Sequence, residues 1–272
     1  MSETRTFTCT PLSDTVGAEI DGLDLRRPFT ASVEAALRSA FRTFHLLLIR
    51  GQDVDADDHL RFAAVFGTVQ ARERSPTRVD QDGIQFVSNS MRNGLIGDGE
   101  LDFHMDQLYY DAPLSALSLY GIEIPDEGGD TIFSNSVSAC SSLPRDIHEA
   151  ASRLTCIHTY NYDTATAGRW KLVVGDSAAP TATHPMLWTE PGTGRRAVWV
   201  NKQTTVGVVG MPDGESRALF QEVRRPLYDS ALQYRHKWKR GDLIIWNNRT
   251  LQHARTPFDP ASPRTLRRAA LL

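Results

Sequence analysis

The chain has 272 residues, 40% of them hydrophobic and 23% charged, a balance that belongs to globular proteins and excludes a disordered or collagen-like polymer. Thirty Lys and Arg against 33 Asp and Glu leave a formal charge of -3, without the basic footprint of a dedicated nucleic-acid binder. Cys9, Cys140 and Cys156 are an odd set lacking the spacing of a thiolate zinc site or a disulfide framework, so a reducing, cytoplasmic setting is expected. No run approaches the ~18 apolar residues of a membrane helix, and the first residues lack the apolar centre of a signal peptide.

In chain order, Val33, Ala36, Leu37, Ala40 and Phe41 recur at helical spacing after Thr30 and Ser32, which predicts an amphipathic helix over about 31–43. The run from His45 to Ile49 reads as a short buried strand. A second helix is expected from about Asp57 to Phe66, with Gly67 as its stop. Beyond it lie short β-type segments at Ile84–Val87, Ala116–Ile124, Thr131–Phe133, Arg196–Val200, Asp242–Trp246 and Arg264–Leu272, interrupted by helical patterns at Leu143–Arg153 and Glu215–Tyr228. The expected architecture is mostly β with attached helices, in one domain spanning 1–272. Residues from about 160 to 183 read as a long irregular stretch, of the kind that serves as an active-site lid or insert.

Chemistry concentrates at Phe103-His104-Met105-Asp106. On a strand, residues two apart point to one face, so an imidazole and a carboxylate would stand side by side. If His253 approached from another strand, two histidines and one carboxylate would hold a metal on one side and leave the other open, the ligand set of non-haem Fe(II) oxygenases. Taken alone, the His-x-Asp pair more often marks a polar strand face, and the metal reading depends on further residues.

Those residues are present. The segment Glu100-Leu-Asp-Phe-His104-Met-Asp106, then Pro113, then Glu123-Ile-Pro-Asp-Glu-Gly128-Gly129-Asp130-Thr131, resembles the first half of the TauD/TfdA family of Fe(II)- and 2-oxoglutarate-dependent dioxygenases. Gly241-Asp-Leu-Ile-Ile-Trp246-Asn-Asn-Arg249, through His253 to Arg264 and Arg268, resembles its second half, and Val16 to Leu25 resembles its leading strand. The resemblance implies a double-stranded β-helix, the cupin-like jelly roll, with helices on one side. It further implies Fe(II) ligands at His104, Asp106 and His253, with Thr131 and Arg264 gripping the distal carboxylate of 2-oxoglutarate. A guanidinium is permanently charged and can bond a carboxylate through two parallel hydrogen bonds, as that role requires. With O2 as the other co-substrate, the implied reaction couples decarboxylation of 2-oxoglutarate to succinate and CO2 with oxidation of a substrate C–H bond. Hydroxylation is the default outcome, and desaturation or oxidative rearrangement uses the same chemistry. Halogenation is disfavoured because related halogenases lack the carboxylate that Asp106 supplies.

Arg268 lies four residues past Arg264, on the same side of an extended strand, and the resemblance gives it the anionic group of the substrate; Arg267 should point away. The remaining candidates for substrate contact are Glu100, Arg72, Tyr109, Tyr160 and Tyr162, with core packing or solvent-facing charge as the competing reading for each. Trp246 is expected to pack beside the metal, and Asn247 with Arg249 to brace the strand of His253. Gly128 and Gly129 read as a tight turn before Thr131. The expected partner is therefore a small anionic or amino-acid-like metabolite, with specialised metabolite biosynthesis among the settings, and neither nucleic acid nor membrane. Family members are often dimers or tetramers, so a homo-oligomer is left open. Two other readings stand beside the dioxygenase: a zinc-dependent hydrolase using the same three ligands, in which Thr131 and Arg264 would have no role, and a non-catalytic jelly-roll binding protein.

Overall fold

A computed structural model describes residues 7–70, 83–91, 94, 100–160, 162–163, 171–172 and 179–272, with 162–163 and 171–172 described for their backbone only. The first half runs β1 (Thr8–Pro11), β2 (Ala18–Asp21), α1 (Ala31–Phe44), β3 (Leu46–Ile49), α2 (Ala56–Ala64), β4 (Ile84–Ser88), β5 (Leu101–His104), β6 (Ala116–Glu123), β7 (Thr131–Asn135), α3 (Ser136–Ser141) and α4 (Arg145–Ala151). The second half runs β8 (Thr155–Thr159), β9 (Tyr162–Asp163), β10 (Lys171–Leu172), β11 (Thr181–Pro185), β12 (Leu187–Thr189), β13 (Arg196–Val198), β14 (Thr205–Val208) and α5 (Asp213–Arg224). It closes with β15 (Gln233–His236), β16 (Leu243–Asn247), β17 (Leu251–Arg255) and β18 (Thr265–Leu271).

Among the described residues, a seven-stranded sheet in the order β1-β2-β3-β16-β6-β18-β4 faces a four-stranded sheet in the order β15-β7-β17-β5. This is the expected jelly roll. Apart from the parallel β2–β3 contact, the pairs within these two sheets are antiparallel.

Both faces of the middle of the large sheet, at β3, β16, β6 and β18, are buried, and alternation along each strand divides them. Leu47 and Ile49 of β3 and Leu243 and Ile245 of β16 meet the helices, in a core that includes Val33, Leu37 and Phe41 of α1 and Phe62 of α2. Leu46, Leu48, Ile244 and Trp246 point the other way, into the space between the sheets, where they meet Phe133 and Leu251 of the small sheet. This explains why these strands read as continuous apolar runs rather than alternating ones.

The helices follow their local signals. Thr30 caps α1 by accepting from the Val33 backbone N–H, and α1 ends at His45 in the left-handed region, with φ 62°. Asp55 and Asp58 cap α2 reciprocally, the Asp55 carboxylate accepting from the Asp58 N–H and the Asp58 carboxylate from the Asp55 N–H. The helix stops at Ala64, two residues short of the expected Phe66, because its end tightens into turns in which the Val65 N–H reaches the Phe62 carbonyl and the Phe66 N–H the Ala63 carbonyl.

The expected irregular stretch over 160–183 is partly β. Its end belongs to β11, which pairs with β8 in a third sheet of order β11-β8-β14, and β9 pairs with β10. Residues 161, 164–170 and 173–178 lie outside the described residues, and the lid expectation falls on them.

Candidate active site

The small sheet carries the ligand-type residues. His253 on β17 sits directly opposite His104 on β5 and Phe133 on β7. The pairing then slips: Arg255 opposes Leu101, so β5 has one more residue between its paired positions than β17, a bulge that re-aims the strand next to the site. Within the bulge, the Asp102 carboxylate meets Lys202 Nζ and the Tyr228 hydroxyl, each at 2.7 Å. The Asp102 carbonyl accepts a 2.9 Å hydrogen bond from His104 Nδ1, which fixes the tautomer and leaves Nε2 as the ring's free lone pair.

Asp106 is not on the strand. β5 ends at His104, and Asp106 occupies the turn beyond it, so strand alternation is not what brings the two side chains together. Asn248 does so: its Oδ1 accepts from the Asp106 N–H at 2.9 Å, and its Nδ2 donates to the Asp106 and Leu114 carbonyls at 3.0 and 3.1 Å. Asn247, expected with Arg249 to brace the strand of His253, accepts from the Arg249 N–H at 2.9 Å in the turn that leads into β17.

Ligand-type atoms of His104, Asp106 and His253 all lie within 4.8 Å of one another. His104 Nε2 stands 3.4 Å from Asp106 Oδ1. A lone pair facing a carboxylate oxygen at that distance is repulsive unless a cation lies between them. The site's electrostatics keep both ligand types in coordinating form. Burial alone would push the Asp106 carboxyl up, but the Arg268 guanidinium beside it outweighs burial and holds the carboxyl well below its usual range. Burial, then the neighbouring His104, lowers His253 to about 3, partly opposed by Asp106, which keeps the ring neutral. His253 Nδ1 is buried without a hydrogen-bond partner, so the ring is not fully committed to protein groups. Two imidazoles and one carboxylate on one side fit a divalent ion with open positions. Trp246 packs edge-on against His253, with ring centroids 4.9 Å apart, and against Phe133 at 5.3 Å.

Thr131 and Arg264 are both buried at one end of the same interior. Arg264 donates from Nε and Nη2 to the Gly129 carbonyl at 3.0 and 2.9 Å. Gly129 lies at φ +65°, and a Cβ there would come within 2.8 Å of Arg264 Nε, so glycine satisfies both the turn and the close approach. Trp238 Nε1 donates to Thr131 Oγ1 at 2.9 Å, which leaves the hydroxyl proton for another acceptor. A residue that the sequence reading did not single out joins them: Arg255, paired directly opposite Thr131, buried, and over the same Phe258 ring as Arg264. Burial, then the charge of Arg255, lowers Arg264 to about 9, with Asp130 acting in the opposite direction. A buried guanidinium bonded to a carbonyl and crowded by a second cation is a site that an anion relieves. The signal was in the sequence, because Arg255 is two residues beyond His253 on a strand.

Arg268 points inward and Arg267 outward, as β18 alternates. Arg268 Nη2 donates to Asp106 Oδ2 at 2.6 Å, and Nη1 donates to Gln85 Oε1. Arg267 turns to the helical side, donating to His59 Nδ1 and the Val54 carbonyl. Tyr109 packs at a steep angle against Tyr110 and Tyr160, both with ring centroids at 4.9 Å, and burial followed by the Asp106 charge raises its phenol far above the ordinary value. Glu100 is exposed just before β5. Arg72 and the Tyr162 side chain lie outside the described residues.

The profile of the Taurine catabolism dioxygenase TauD, TfdA family matches residues 8–270. The chain belongs to the TauD/TfdA family. An alpha-ketoglutarate-dependent 2,4-dichlorophenoxyacetate dioxygenase from Cupriavidus pinatubonensis is 25% identical over 284 residues, covering 96% of both chains. An alpha-ketoglutarate-dependent sulfate ester dioxygenase from Pseudomonas putida is 27% identical over 271 residues, covering 96% of this chain and 88% of the relative. The crystal structure of a taurine dioxygenase from Burkholderia xenovorans matches with a TM-score of 0.82 at 26% identity, over 98% of this chain and 89% of the other. This TauD/TfdA member is accordingly a non-haem oxygenase that uses Fe(II), 2-oxoglutarate and O2. The hydrolase and binding-protein readings leave the buried Thr131–Arg264 arrangement without a purpose. Among the described residues, no helix is long and apolar enough to cross a membrane.

Proposed function

We propose that the enzyme oxidises a C–H bond of a small organic anion, with His104, Asp106 and His253 holding the iron and Thr131 with Arg264 holding the distal carboxylate of 2-oxoglutarate. The observation that carries this reading is the juxtaposition of the three-ligand cluster with the Arg268 guanidinium, 2.6 Å from Asp106. When bound, the iron supplies the oxidising chemistry through its O2 and 2-oxoglutarate positions. The chain's own residues do the rest. Asp102 and Asn248 fix two of the ligands by hydrogen bonds to a ring and to a peptide group. Arg264 and Thr131 orient 2-oxoglutarate by its far end, so that its keto acid reaches the metal in one pose. Arg268 uses two of a guanidinium's five donors in its bonds to Asp106 and Gln85, and the others receive the substrate's anionic group beside the metal. The aromatic rings of Tyr109, Tyr110 and Tyr160 supply an apolar wall with polar tips. Dichlorophenoxyacetate and sulfate esters, named for two relatives, are anions, which supports the same substrate class here.

The test is succinate release and O2 consumption by Fe(II)-loaded protein with 2-oxoglutarate, across a panel of aryloxy acids, sulfonates, sulfate esters and amino acids alongside neutral analogues of the same skeletons. Stimulation by the anions and not by the neutral analogues is expected. Stimulation only by neutral or cationic compounds would overturn the substrate class.

A further inference from the structure

Gln85 has no part in the roles described so far, yet it touches the centre of the site. It lies on β4 directly opposite Arg268 on β18, with Val87, two residues on, in the core between the sheets. Its Oε1 accepts from Arg268 Nη1 while Nη2 of the same guanidinium bonds Asp106 Oδ2. Asp106 Oδ1 is the oxygen near His104 Nε2. The three side chains thus form a line in which a neutral amide on one strand fixes a cation on the next, and the cation caps one oxygen of a carboxylate ligand.

We propose that Gln85 is a positioning residue of the metal site: by holding Arg268 against Asp106 Oδ2, it keeps Asp106 Oδ1 turned toward His104. The proposal rests on the assignment of Asp106 as a metal ligand. The reason is preorganisation. A carboxylate free to rotate loses that freedom when it binds an ion, and the loss weakens binding. Arg268 prevents this only while its guanidinium stays in place, and an arginine side chain has many rotamers to leave by. Gln85 removes that freedom with a bond that adds no charge to compete with Asp106. An acidic residue at this position would draw the guanidinium by charge, and an apolar one would release it.

The test uses full-length apo protein and Mn(II), followed by the electron paramagnetic resonance signal of the free ion. Gln85→Met, similar in length but without the acceptor, is expected to weaken Mn(II) binding about tenfold or more, the usual consequence of losing a partner of a metal ligand, with thermal unfolding unchanged. Gln85→Ser removes the same acceptor without bulk and gives an independent reading should the methionine fit poorly. Arg268→Lys should weaken binding similarly, and the double variant should lose no more than either single one, because both break the same line. Full additivity, or wild-type Mn(II) affinity in Gln85→Met, would overturn the proposal. Asp106→Ala separates it from the assignment beneath it: binding lost in Asp106→Ala but intact in Gln85→Met sinks the role of Gln85 alone. Binding intact in Asp106→Ala sinks both.

Discussion

At the scale of single residues, the candidate site divides into groups that touch ligands and groups that aim them, and the two should fail differently. His104→Ala or Asp106→Ala is expected to abolish Mn(II) binding and succinate formation, measured by equilibrium dialysis and product assay. Arg264→Ala should retain the metal but weaken 2-oxoglutarate binding by at least tenfold in anaerobic calorimetry; unchanged affinity would remove Arg264 from that role. Gly129→Ala should lower 2-oxoglutarate affinity as well, since its Cβ would displace Arg264 Nε and the backbone there has positive φ. The chemistry-bearing residues were legible because the reaction demands their types and their intervals resemble a known pattern. The aiming residues were less so. Asn247 and Asn248 are adjacent and chemically identical, and only the turn geometry decides that Asn248 holds the peptide of Asp106. Arg255 was readable from strand parity with His253, but strand parity says which face a residue shares and not which ligand it meets there.

Elements show the same division between periodic signal and tertiary context. Helices α1, α2, α4 and α5 and the doubly buried strands β3, β16 and β18 were legible, because an apolar stripe or an unbroken apolar run rarely arises without a buried face to produce it, whereas the short, Ser-rich α3 carries no such stripe. The strand β8 was not: its buried positions are Cys156 and His158, alternating with Thr155, Ile157 and Thr159, a sequence whose hydropathy hides the period of two. The bulge in β5 was invisible for a deeper reason, since it exists only relative to β17. One element-level feature lends itself to a direct check. Asp55 supplies half of the reciprocal cap of α2, so Asp55→Ala should cost about 1 kcal/mol of stability, read as a lower urea midpoint with unchanged slope. Because α2 packs on the helical face of the large sheet, opposite the ligands, metal affinity in this variant should stay at the wild-type value.

Across the whole molecule, buried neutral histidines tie stability to acidity. Burial, reinforced by Arg267, lowers His59 to about 3, where it accepts from Arg267 and lies 2.8 Å from the Ser118 hydroxyl. Burial, with His184 nearby, lowers His158 to about 3. In the unfolded chain both rings titrate near 6.5. Between those values the unfolded state binds protons that the folded state refuses, so stability is full above pH 6.5 and declines as the pH falls toward 3. The urea midpoint should therefore drop between about pH 7.5 and about pH 5, and His59→Gln should flatten that dependence; an identical slope in the variant would exclude His59 as a source. The bond from Arg268 to Asp106 closes a loop of 162 residues, that from Asn248 to Asp106 one of 142, and that from Arg264 to Gly129 one of 135. Contacts so distant in sequence form late, since each requires loop closure before it contributes anything. Iron therefore has no complete site to bind during folding: a partly folded chain offers it His104 and Asp106, two residues apart, without His253, and full metal loading becomes a test that only a finished fold can pass.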